Sequence, residues 1–113
     1  HTFAHAIEKI TNYKKFLHGE AVAIGMVMAN ALARRLGKLN ELEEEQIRKV
    51  LQKFALPIKF HVEDAAEFYE LFFLDKKSEN GKIKFILPDG IGKFRIVDDI
   101  DKDAVIATLR EFA

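Results

Sequence analysis

Residues 19–36 are apolar on almost every side until Arg34. A helix of that kind has no face to give to water, so it belongs at the centre of a bundle with the rest of the chain wrapped around it. Its small residues (Ala21, Ala23, Gly25, Ala29, Ala31, Ala33) let neighbouring helices approach closely, and Gly37 follows as a C-cap. The nearly uncharged part, residues 21–33, is too short to span a bilayer.

Other helices surround this one. Phe3, Ala4, Ile7 and Ile10 recur at helical spacing over residues 2–10, followed by a polar loop that reaches Leu17. Asn40 with Glu43 three residues on forms a capping box, and the helix it opens is expected to turn Leu42, Ile47, Val50, Leu51 and Phe54 to the core before Pro57 ends the region. Residues 63–74 read as a further helix with Ala66, Tyr69, Phe72 and Phe73 inward, and residues 75–81 as a polar loop. The period then changes. Ile83, Phe85 and Leu87 alternate with Lys82 and Lys84, Pro88-Asp89-Gly90 supplies a turn, and Phe94 and Ile96 alternate with Lys93 and Arg95, the pattern of a β-hairpin. Residues 101–112 close the chain as a helix burying Val105, Ile106, Leu109 and Phe112. The expected fold is mainly α with a small β-hairpin, a helical bundle forming one domain over residues 1–113.

Composition narrows the function. Lysine plus arginine number 18 and aspartate plus glutamate 18, a net charge of zero. Binders of nucleic acid or anionic membrane carry a basic excess, so neither partner is expected. With no cysteine, disulfides and thiolate metal sites are excluded, which suits a cytoplasmic protein. The chain opens on His-Thr-Phe without methionine or a signal peptide, and is expected to be an excised or processed piece.

Chemistry concentrates near the start. His1 and His5 are four apart, so on a helix they project from one face and could share a divalent ion, though that spacing also arises by chance. His18, at the mouth of the central helix, can point back to them or simply cap that helix. Glu8 and Glu20 are within reach, as ligands, as acceptors for imidazole N–H groups, or as plain surface ion pairs. His61 reads as an ordinary surface or half-buried residue.

His1-Thr2-x-x-His5-Ala6-x-Glu8, a loop, and Leu17-His18-Gly19-Glu20-Ala21-Val22-Ala23-x-Gly25-Met26 together resemble the metal-site signature of the 3-dehydroquinate synthases. Asp75-Lys76-Lys77, then Gly81-Lys82-Ile83 and Leu87-Pro88, resemble a second block of that family. The resemblance runs in order along essentially the whole chain and implies its carboxy-terminal, helical, metal-binding domain. It implies that His1 and His18 are metal ligands for zinc or cobalt and that His5 is catalytic, facing the substrate near its phosphate. Lys76, with Lys77 as its alternative, would bind that phosphate. It also implies the reaction: 3-deoxy-D-arabino-heptulosonate 7-phosphate goes to 3-dehydroquinate and phosphate, with NAD used transiently, in a cytoplasmic enzyme that is a homodimer when intact.

The family's remaining parts are not in this sequence: a nucleotide-binding domain, a third zinc ligand (a glutamate), and an arginine and asparagine just ahead of His1. No G-x-G-x-x-G loop replaces them, and Gly90-Ile91-Gly92 suits a hairpin turn. The isolated chain is therefore expected to be inactive. Two other readings stand beside this one. A polyol dehydrogenase of the glycerol dehydrogenase type would share the His-Gly-Glu core without needing the Lys76–Lys77 clamp. A non-catalytic helical interaction module would need none of these residues.

Overall fold

The central helix is present and begins one residue early. A computed structural model describes residues 2–11, 16–56, 58–74, 83–90 and 93–113. Its elements are α1 (Thr2–Ile10), α2 (His18–Arg35), α3 (Glu41–Lys53), α4 (Ala65–Leu71), a 3-10 turn (Phe72–Leu74), β1 (Phe85–Pro88), β2 (Phe94–Val97) and α5 (Lys102–Arg110). Helix α2 packs against α1, α3, α5 and β1, and buries Ala21, Ile24, Met28 and Leu32 on one side and Ala23 and Val27 on another. The small residues act as expected at one crossing: a Cβ on Gly25 would lie 3.0 Å from the backbone nitrogen of Ala4. Helix α1 thus lies directly on α2, held there because neither helix carries bulk at the contact.

The second half of the core is aromatic. Phe3 of α1 meets Phe72 edge-on at 5.4 Å and Phe85 of β1 at 5.3 Å, and Phe68 and Phe72 meet at 5.8 Å. The two edge-to-face pairs, Phe3–Phe72 and Phe68–Phe72, add to what area burial alone contributes. Phe68, fully buried, was not among the inward residues expected from the sequence, whereas Ala66 and Phe73 are exposed. The expected helix over 63–74 is shorter, because Asp64 caps it by accepting from the Glu67 N–H at 3.2 Å and the last turn tightens to 3-10. In α5, Val105 and Leu109 are buried as expected and Ile106 only half-buried, as is Phe112, which lies beyond the helix end at Arg110. Buried Thr108 turns its hydroxyl back to the Ala104 carbonyl at 2.9 Å, which satisfies it.

Two expectations fail on phase. In α3, Leu51 is buried and Ile47 half-buried, but Leu42, Val50 and Phe54 are 70%, 54% and 70% exposed. At about 100° per residue, Leu42 lies roughly half a turn round from Leu51, so the five residues never formed one stripe. In the hairpin, Phe85, Ile86, Leu87 and Pro88 stand opposite Val97, Ile96, Arg95 and Phe94. Directly opposed residues share a face. Ile96 and Phe94 therefore fall on the side away from buried Phe85 and Leu87, and are 72% and 69% exposed.

Both long helices after α1 end alike. Gly37 (φ 78) donates to the Arg34 carbonyl and Lys38 to that of Ala33, the paired bonds of a Schellman cap. Ala55 (φ 57) donates to the Gln52 carbonyl and Leu56 to that of Leu51, the same cap with a methyl group where glycine is preferred. A left-handed backbone costs a non-glycine residue about 1–2 kcal/mol, offset partly by the larger unfolded-state entropy of glycine. Ala55→Gly is expected to stabilise the domain by about 0.5–1 kcal/mol, read as a thermal midpoint raised by a few degrees. A lowered midpoint would mean that Ala55 is not strained.

Candidate metal and phosphate site

The close crossing of α1 on α2 brings a carboxylate to a histidine. Glu8 lies three residues beyond His5 on α1, on the same side of the helix. Its Oε2 is 3.1 Å from Nδ1 of His18, the first residue of α2. The carboxylate is shielded, with 13% of the side chain exposed, while 58% of the imidazole faces outward. An imidazole held through Nδ1 by a carboxylate has its tautomer and ring plane fixed, with Nε2 on the far side of the ring from the acid. His5 is half-buried on α1. Of the two carboxylates weighed from the sequence, Glu8 joins the histidine. Glu20 instead accepts the Leu17 N–H at 2.8 Å and closes the start of α2.

His1, Lys76 and Lys77 lie outside the described residues. Among the described residues, no group of three or more histidine, cysteine, aspartate or glutamate side chains is placed to hold a metal ion. His61 is exposed, as read from the sequence.

Both flanks of the lysine block are fixed to α1. On the amino-terminal side, Phe72 packs on Phe3. On the carboxy-terminal side, Thr2 donates its hydroxyl to the Lys84 carbonyl at 2.7 Å, and Phe85 packs on Phe3. Phe72, Lys84 and Phe85, described on either side of residues 75–82, thus all meet the first turn of α1. The Thr2 tether was not foreseen, since no local pattern links residues 82 apart. No described helix is long and apolar enough to cross a membrane.

Helices arranged in this way belong to a known class of synthase. The 2-epi-5-epi-valiolone synthase of Streptomyces hygroscopicus, solved with NAD+ and Zn2+, superposes with a TM-score of 0.83 at 28% identity, covering 99% of this chain and 31% of that one. A 2-deoxy-scyllo-inosose synthase complexed with carbaglucose-6-phosphate, NAD+ and Co2+ gives 0.79 at 25% identity, over 100% and 34%. The family described as "3-dehydroquinate synthase C-terminal" matches residues 1–78. Over 112 residues the chain is 62% identical to the 3-dehydroquinate synthase of Campylobacter hominis and 59% identical to that of a Nitratiruptor species. It belongs to the 3-dehydroquinate synthase family. The match takes in 99% of this chain but 33% and 32% of those two relatives, so the chain spans about a third of their length.

Proposed function

We propose that this chain is the metal- and phosphate-binding part of a 3-dehydroquinate synthase, a carbon–oxygen lyase acting on 3-deoxy-D-arabino-heptulosonate 7-phosphate. The observation that carries the reading is the Glu8–His18 pair at the junction of α1 and α2. The nucleotide-binding domain is assigned to the part of the relatives' length that the chain does not span. The same reading makes the intact enzyme cytoplasmic and homodimeric.

The donor set fits a borderline divalent ion. His18 would be one ligand, oriented by Glu8, and His1 a second; imidazole nitrogens suit zinc and cobalt. A third ligand is then needed from outside this chain. When bound, the ion acts as a Lewis acid on the substrate hydroxyl that is oxidised. NAD is assigned to the intact enzyme, and its dinucleotide-binding groups to the nucleotide-binding domain, since this chain has no glycine-rich dinucleotide loop.

The chain's own residues then act on the phosphate. Lys76, or Lys77, holds a phosphate oxygen through a charge-assisted hydrogen bond, stabilising the group as it leaves with the C–O electron pair. His5, four residues on from His1 in the sequence, faces the substrate beside that phosphate. The tethers at Thr2 and Phe3 support this placing, since they bring both flanks of the lysine block to the same helix.

Calorimetric titration with zinc tests the site. Weak binding is expected for the chain alone, lost in His18→Ala and reduced roughly tenfold or more in Glu8→Gln, as for other residues that orient a metal-binding imidazole. An unchanged affinity in His18→Ala would remove His18 from the site.

A further inference from the structure

One strip of the central helix is still open. Val22, Met26 and Ala29 fall at i, i+4 and i+7, on one face of α2. Val22 and Ala29 are half-buried and Met26 is 43% exposed. The strip forms one wall of a groove of about 380 Å³. Its other walls are the first turn of α1, from Thr2 to Ala4, and the hairpin at Ile86 and Phe94. None of the side chains lining it is charged.

The hairpin carries the sharper signal. An antiparallel pair with one face in water alternates apolar and polar residues. Here Phe85 and Leu87 face the core, yet the opposite face presents Ile86, Phe94 and Ile96, which are 53%, 69% and 72% exposed. A hairpin apolar on both faces belongs between two layers, and among the described residues only one is in place. Met26, Ile86 and Phe94 share the groove and Ile96 stands opposite Ile86, so the four form one patch. Apolar patches rimmed by polar residues mark interfaces.

We propose that this patch seats the polypeptide that precedes residue 1 in the intact enzyme, docked through an uncharged, apolar segment. The chain matches the carboxy-terminal part of its family and a third of its relatives' length, so about two-thirds of such an enzyme lies ahead of it. That length joins the chain next to Thr2, on the groove's own wall. A segment tethered there sits at an effective concentration of roughly millimolar, which favours it over a second copy in solution. A charged segment would lose its hydration against these walls and find no partner. The proposal rests on family membership and length, not on the metal and phosphate reading, and its test needs no turnover.

The chain has no cysteine, so Phe94→Cys places a single thiol on the patch. Maleimide labelling, located by peptide mass spectrometry, should be fast in the 113-residue chain. With residues 1–113 grafted in place of the matching third of the Campylobacter hominis enzyme, labelling should slow roughly tenfold or more, because the thiol then reacts only through local opening. Lys49→Cys, at an exposed position of α3, should react at the same rate in both. In the unsubstituted proteins, peroxide should oxidise the Met26 thioether in the chain and spare it in the graft. Equal labelling of the Phe94→Cys thiol in chain and graft would overturn the proposal. So would labelling of the chain that slows as its concentration rises, which would put a second copy on the patch. Should the graft not fold, a cysteine at the aligned position of the Campylobacter hominis enzyme itself gives the same reading, and free reaction there overturns the proposal equally.

Discussion

Replacing Lys76 and Lys77 together by alanine in the intact enzyme is expected to lower kcat/KM by at least ten- to a hundredfold. Four lysines cluster between α4 and β1 (Lys76, Lys77, Lys82 and Lys84), and clusters of that kind are mostly solvated surface. The family resemblance separates the first two from the others. A hydrogen bond from an ammonium to a departing phosphate contributes roughly 1.5–3 kcal/mol, and each 1.4 kcal/mol is about a factor of ten. Lys76→Ala alone should show most of the loss, tempered by Lys77 standing in for it. Lys84→Ala should change the rate less than twofold, because it is the backbone carbonyl of Lys84 that takes the Thr2 hydroxyl. If both Lys76 and Lys77 can be removed at a cost below twofold, the phosphate assignment fails and an activity of the polyol dehydrogenase type gains ground.

What the sequence made legible was local. The all-round apolar run over residues 19–36 could only be a central helix, and it is one. Asn40 caps α3 with Glu43 in reciprocal bonds at 2.8 and 3.1 Å, a pattern written entirely within four residues. Gly37 marked the end of α2 because glycine itself signals a left-handed cap. Ala55 makes the same cap without any signal, since alanine is an ordinary helix residue and nothing local to it marks a φ of 57°. Phase errors came next. The α3 residues Leu42, Val50 and Phe54 are apolar without facing the core, and Phe94 and Ile96 alternate correctly but point away from it. An apolar residue announces its preference, not the direction in which its neighbours lie.

The candidate site divides in the same way. Histidine and glutamate types at the ends of α1 and α2 were readable as possible ligands, with Glu8 and Glu20 equal in standing. Only packing separates them: Gly25 and Ala4 let α1 settle on α2, Glu8 then meets His18, and Glu20 is spent on its own helix start. The tether from Thr2 to Lys84 depends on how the hairpin returns to α1, which no local period encodes.

The completeness of the chemistry is a separate matter, because this chain covers about a third of its relatives. Positioning reactants and a cofactor against one another supplies several kcal/mol of a barrier, and groups absent from the chain cannot supply it. Grafting residues 1–113 in place of the matching third of the Campylobacter hominis enzyme, to which it is 62% identical, should restore those groups. The decisive measurement is formation of 3-dehydroquinate from 3-deoxy-D-arabino-heptulosonate 7-phosphate with NAD and zinc present. The graft is expected to turn over at a rate comparable to the Campylobacter hominis enzyme, and the 113-residue chain alone to form no measurable product. Robust turnover by the chain alone, or none by a correctly folded graft, would contradict the assignment of this chain as the metal- and phosphate-binding part of that enzyme.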